Sequence, residues 1–288
     1  MKLIRQTSVF ECRMIVSCCL IAVLMHPAVA QDATAPAKFE PSENKSNDES
    51  VEKRIAAINA EVTKSVEQQL ASLPEIDEKD PESVQLLSSR GDLLMFLARF
   101  EEAEHDFQQM AVLKPSLDAG HWRLGIANYF AGHPDRGAAQ FEKYHSFDSV
   151  DRENGIWRYF CHFKSEGREA AQKQLLRYDK DDRPPFREVY QLFQGTMTPA
   201  DVLKACEGKD GDGKDSLRFY SHLYVGLNAS LENQPAEAIR HLQLATLNPW
   251  PRKAGFGPEW MWHVGRLELN GLTTRQNKSD QDGAKVQK

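Results

Sequence analysis

Little in this sequence points to a covalent staple, a membrane span or a basic binding face. Five cysteines in 288 residues are too few and too scattered for a disulfide-built scaffold or a cysteine-rich zinc module. The longest apolar run, Met14 to Met25, has 12 residues, short of the roughly 20 a helix needs to cross a bilayer. Lys and Arg number 36 against 42 Asp and Glu, a net charge of −6. There is no global positive field to neutralise phosphates, so nucleic-acid binding is not expected. Nine histidines form neither His-x-x-x-His nor His-Glu-x-x-His, and no serine lies in Gly-x-Ser-x-Gly. No metal ligand, cofactor site or catalytic residue is assigned, and the expected class is not an enzyme. A hydrolase with a site assembled across the fold stays as an alternative, because triads are recognised by spatial geometry.

What is present begins with an export pattern. Lys2, Arg5 and Arg13 precede the apolar run, and Ala28-Val29-Ala30 places small residues where a signal peptidase reads, predicting cleavage before Gln31 and a periplasmic or otherwise extracytoplasmic mature chain. Ile15-Val16-Ser17-Cys18 has the look of a lipidation box, but a lipidated cysteine follows the apolar core and this one opens it. Membrane association is expected only if Cys18 is lipidated. Cys12, Cys18 and Cys19 then leave with the signal. Cys161 and Cys206 remain, 45 positions apart, and two separate thiols at helix interfaces are favoured over a bond.

Residues 31–50 are polar, with Ala, Pro, Ser, Glu, Lys and Asn and no apolar periodicity, and 273–288 is similar; both read as disordered. Between them, 51–272 alternates helical patterns with short turns and shows no convincing strand. A first helix is predicted over Val51–Leu73, where Val51, Ile55, Ile58, Val62, Val66 and Leu70 form one apolar stripe on a charged rod. That stripe must pack on the rest of the domain or on a second copy.

A repeat organises the rest. Gly91 and Gly125, Ala103 and Gly137, and Phe107 and Phe141 are each 34 residues apart, the tetratricopeptide (TPR) period. In each unit a small residue lets two antiparallel helices approach, and the Phe four residues after Ala103 or Gly137 plugs the gap between hairpins. Gly226 and Ala238 keep the 12-residue spacing of Gly91 and Ala103 in a later unit. Ile156, Trp157, Phe160 and Cys161, then Gly167, Ala170, Ala171 and Leu175, read as a degenerate third hairpin ended by Pro184-Pro185. Thr198-Pro199-Ala200-Asp201 opens a further helix as N-cap, first-turn Pro and acidic third position. A helix over about 258–269, carrying Trp260, Met261, Val264 and Leu267, is expected to cap the stack. The fold class is thus all-α, a TPR helical-hairpin solenoid of about four units with extra N-terminal and capping helices.

Over about 85–272 the chain resembles the bacterial NlpI-type TPR proteins, the relatives of new lipoprotein I. The resemblance rests on "WRLGIANYFAG" with "AAQFEKYHSFD", "WRYFCHFKSEGREAAQKQLL", "REVYQLFQGTMTPADVL" and "SHLYVGLNASLENQPAEAIRHLQLA", in that order and with the interval between units three and four. It implies an all-helical periplasmic adaptor, often dimeric, that docks cell-wall hydrolases and a processing protease. A self-associating structural component is the competing reading, and a homodimer fits either.

Gly208 to Asp215 nearly spells a phosphate-binding loop and partly a calcium loop, but it lacks the Ser or Thr after its Lys and follows a helical segment. A polar connection is the favoured reading. Ser88, Asp92, Trp122 and Ile126 stand where a charged-tail clamp would need Lys and Asn. Trp122, Tyr129 and Phe130 instead suggest an apolar wall for a hydrophobic or helical partner segment, against the alternative that Trp122 packs on Phe107 as core.

Overall fold

The computed structural model describes residues 45–180, 182–207 and 213–286; the predicted export segment, most of the predicted tether and the Gly208–Asp212 stretch lie outside them. Twelve α-helices and no strand occur among the described residues. They run α1 (Lys45–Ala71), α2 (Val84–Phe96), α3 (Phe100–Leu113), α4 (Trp122–Phe130), α5 (Pro134–Phe147), α6 (Arg152–Glu166) and α7 (Arg168–Lys173). Then follow α8 (Phe186–Gln194), α9 (Pro199–Glu207), α10 (Lys214–Leu231), α11 (Pro235–Leu247) and α12 (Phe256–Val286). Most helices pack chiefly on their neighbours in sequence, while α8 packs mainly on α6, giving an all-helical succession of hairpins.

The repeat positions meet as steric logic requires. A Cβ on Gly91 would lie 2.5 Å from Phe107 Cε1, one on Gly125 2.6 Å from Phe141 Cζ, and one on Gly226 2.8 Å from Leu242 Cγ. The first helix of each hairpin thus gives up its side chain so that the second can bury a large one; Phe107, Phe141 and Leu242 are fully enclosed. Gly137 makes the same concession one layer on, to Cys161 Sγ at 2.7 Å and the Gly125 carbonyl at 3.0 Å. Ala103 and Ala238 are fully buried at the corresponding places.

The hairpin turns repeat as well. Arg99 N–H donates to Leu94 O at 2.9 Å, His133 N–H to Asn128 O at 2.8 Å and Gln234 N–H to Ala229 O at 2.9 Å. The residue before each donor is left-handed: Ala98 at φ 60°, Gly132 at 84° and Asn233 at 55°. This closure satisfies carbonyls that the ending helix leaves free. The Thr198 and Asp201 side chains cap each other's backbone N–H at the start of α9, as the sequence predicts.

Two boundaries differ from the sequence reading. Helix α1 begins inside the predicted tether, at Lys45, and α12 continues to Val286 through the predicted tail. The described side chains from Thr273 on are exposed and polar, so their helix is carried by propagation from the buried first half. Helix α12 also does more than cap the last hairpin. Its Trp262 indole donates to Thr246 O in the last turn of α11, whereas Trp260 and Arg266 reach back to Asp92 and to the Phe96 carbonyl of α2. The stripe of α1 docks within the chain, with Ile55 and Val66 buried and Asn59 bonded to Asn270 at 2.6 Å.

Candidate functional site

The end-to-start packing of α12 leaves a groove of about 680 Å³ between α4, α5, α6, α10 and the start of α12. Trp122, Trp157, Tyr220 and Trp250 supply aromatic surface. Asp148, Asp151, Glu153, Asp182 and Arg183 supply charge. The acidic groups come from two turns. Asp148 Oδ1 accepts from the N–H groups of Val150 and Asp151, and Asp151 caps α6 by accepting from Glu153 N–H at 3.0 Å. These local bonds fix the first turn of α6 and aim Glu153 at the groove wall. Asp182 is tied to the same helix start by the Arg152 N–H at 3.0 Å.

One guanidinium serves three carboxylates. Arg183 pairs with Glu153, with Asp182 at 3.2 Å and with Asp151 at 3.5 Å, and its plane lies 4.2 Å from the Phe186 ring. Glu153 also accepts from the Tyr224 hydroxyl. Burial pushes the Glu153 carboxyl up to about 7; Arg183 opposes the rise, while Asp151 and Asp182 add to it. Burial raises Asp151 too, helped by the Asp182 charge and resisted by Arg183. Burial works against the Arg183 charge, yet Glu153, Asp151 and Asp182 together hold its pKa above the usual value. The result is an electronegative, partly desolvated floor under aromatic walls.

Of the three aromatic residues the sequence assigns to a partner-binding wall, only Trp122 lines the groove. It packs edge-on against Trp260 at 4.9 Å and not against Phe107, whose ring neighbour is His121 at 5.2 Å. Tyr129 is core, 6% exposed, edge-on to Trp157 at 5.5 Å with Lys164 Nζ 3.7 Å from its ring centre. Phe130 is half-buried and stacks on Phe100 at 5.1 Å. Trp122 and Tyr129, seven residues apart, share one face of α4, so what separates them is position along the helix. Helix α6 packs over the end of α4 that carries Tyr129, and the groove opens at the other end, where Trp122 stands. The clamp positions are also committed elsewhere: Asp92 and Ser88 both bond Arg123, at 2.6 and 3.0 Å.

Sequence reading missed the carboxylates and Arg183, although Asp148-Ser-Val-Asp151-Arg-Glu153 is an acidic cluster opening a helix. Its cue was weak, because Asp182 and Arg183 join it only through the fold. Among the described residues one trio has metal-ligand geometry, Glu78, His105 and Asp106. Arg90 already occupies its centre, bonding Asp106 at 2.6 and 2.8 Å and Glu78 at 2.6 Å, so the trio is an ion-pair network. His121 is buried and caps α4, while His222 and His241 share a Nδ1–Nδ1 contact of 2.9 Å and His145 stands edge-on to Tyr178. Cys161 and Cys206 are both buried and no disulfide joins them. The loop with phosphate and calcium resemblance lies largely outside the described residues.

No protein-family model matches the chain.

Proposed function

We propose that the protein is an exported, non-enzymatic adaptor of the TPR type that holds other cell-envelope proteins. The observation that carries this reading is the aromatic groove, a trough of about 680 Å³ spanning several helices and suited to an extended segment of another chain. The 34-residue recurrence of Gly91/Phe107 in Gly125/Phe141 supports the repeat type. The export pattern before Gln31 supports the compartment.

Affinity capture from envelope extract with the mature protein tests it, paired with light scattering on the pure protein. An adaptor retains a defined envelope partner and loses it with Trp122→Ala while staying folded. No specific partner, together with a multimeric mass, would replace the adaptor by a self-associating component. Intact-mass analysis checks export: the mature chain begins at Gln31, and an acylated Cys18 would overturn that start.

A further inference from the structure

The groove has a charge that a purely hydrophobic partner leaves unanswered. Four carboxylates, Asp148, Asp151, Glu153 and Asp182, line it against one guanidinium, Arg183, whose donors already serve three of them. Trp122 and Trp250 stand on the same lining. Indole faces accept an alkyl stem and attract the cation at its end, and a carboxylate in a partly desolvated site fixes that cation more firmly than one in water. An anionic segment would meet like charge here, and a neutral one would leave the floor uncompensated.

We propose that the groove binds a lysine or arginine side chain presented by an otherwise apolar, extended segment of a partner protein. This rests on the adaptor reading and names the chemistry of its partner. A protein segment, and not a free amine, fits the volume, which holds several side chains, and fits walls that are largely aromatic. Glu153 is the central counter-charge. It faces Arg183 and Asp182 from the turn before α8, Tyr220 and Tyr224 from α10, Tyr144 from α5, and Asp151 from its own helix cap. Its carboxyl titrates near 7, so the cation displaces a proton from it.

The test is fluorescence anisotropy on the mature chain with a capped peptide alternating lysine with leucine and phenylalanine. The same peptide with glutamine or glutamate at every lysine serves as comparison, and free spermidine as competitor. The lysine peptide should bind about tenfold or more tighter than the glutamine peptide, and the glutamate peptide should not bind. Glu153→Gln should erase that preference. Ser216 lines the groove from the first turn of α10, where its hydroxyl bonds the Gly213 carbonyl and not the carboxylates, so Ser216→Lys, which adds a positive charge there, should do the same. From pH 6 to pH 8 affinity for the lysine peptide should rise about tenfold in the unaltered protein and stay flat in Glu153→Gln. Absence of lysine-peptide binding, equal affinity for the lysine and glutamine peptides, indifference to Ser216→Lys, or spermidine binding as tightly as the peptide would overturn the proposal. If the peptides fail while Trp122→Ala still loses an envelope partner, the cationic guest is wrong and the adaptor stands. If the lysine peptide binds while no envelope partner is retained, the groove chemistry stands and the adaptor falls.

Discussion

The indole Nε1 of Trp260 donates to Asp92 Oδ1 at 2.9 Å, joining helices 168 residues apart in the chain. The other oxygen of Asp92 pairs with Arg123 at 2.6 Å, so one carboxylate ties α2 to both α4 and α12. Burial raises the Asp92 pKa and Arg123 and Trp260 draw it back, so its charge is held by these two partners. Asp92→Ala leaves the Arg123 guanidinium without its counter-charge, hydrogen-bonded only to the Ser88 hydroxyl among the described residues, and takes the acceptor from the buried Trp260 N–H. It should cost about 3 kcal/mol, and Trp260→Phe, which removes one hydrogen bond and keeps a ring, about 1 to 2 kcal/mol. Urea unfolding measures both; equal and negligible losses would show that α12 is held by its apolar contacts alone.

The hairpin sterics give a paired prediction. Gly125→Ala would place a methyl within 2.6 Å of Phe141, and neither helix can retreat without opening the hairpin. Phe141→Ala should cost about 3 to 5 kcal/mol, the usual range for a buried ring. Tyr129→Ala should be of the same order, since Tyr129 is core. Combining Gly125→Ala with Phe141→Leu should cost less than the sum of the single changes, because the shorter side chain vacates the space the methyl enters. Strict additivity in thermal or chemical melts would contradict the contact.

These residues show what was legible in the sequence and why. Gly91 with Phe107 and Gly125 with Phe141 could be read because the requirement is local and repeats at a fixed spacing. Nothing local distinguishes Tyr129 from Trp122; both follow the helical period, and only the placement of α6 and α12 makes one core and the other groove. The carboxylate cluster escaped notice for a similar reason. Asp182 and Arg183 lie 30 or so positions beyond Asp151 and Glu153 and reach them by the return of the chain after α7. The extent of α12 was hidden because its second half is polar, and composition alone assigns such a stretch to a tail.

Stability should fall on acidification. Burial lowers His121, His222 and His241 to about 4, with neighbouring arginine or histidine charge adding to the effect, and pushes His263 well below its ordinary value, with the Arg266 charge adding to it. The unfolded chain then binds protons that the folded chain refuses, so stability present above about 6.5 is lost as pH falls toward 4. The His222–His241 pair cannot take two protons across 2.9 Å. Glu153 runs the other way: raised from 4.5 to about 7, it costs stability progressively as pH climbs from about 4.5 to that value, and the full cost is present above it. Melting temperature should therefore drop from pH 7 to pH 5, and Glu153→Gln should raise it at pH 8 while changing it little at pH 5. A larger gain at pH 5 than at pH 8 would show that Glu153 is not held against its charge.

The turn repeat predicts a stabilising change. Ala98 sits at φ 60° where Gly132 occupies the same place one unit later. A Cβ in the left-handed region costs roughly 1 kcal/mol, which glycine avoids, offset in part by the greater freedom of glycine in the unfolded chain. Ala98→Gly should be neutral to about 1 kcal/mol more stable, and Gly132→Ala about 1 kcal/mol less. Loss of stability in Ala98→Gly matching that of an ordinary helix-interior Ala→Gly change would mean the turn is not left-handed in solution.

The stripe of α1 sets the last test. Ile55 and Val66 are buried, and Val51, Ile58, Val62 and Leu70 are partly buried against the core that Ile55 joins. The Asn59–Asn270 bond at 2.6 Å and an Arg266–Asn59 contact at 3.3 Å seat the helix on α12. A stripe spent on internal packing holds the fold and leaves little apolar area for a second copy. Deleting residues 51–73 should sharply lower the melting temperature and leave the solution mass per particle that of the same oligomer. Ile55→Asp, which buries a charge with no partner, should reproduce much of that loss with the chain at full length. A stable deletion variant that changes from dimer to monomer would show instead that α1 exchanges its internal seat for a partner copy in solution.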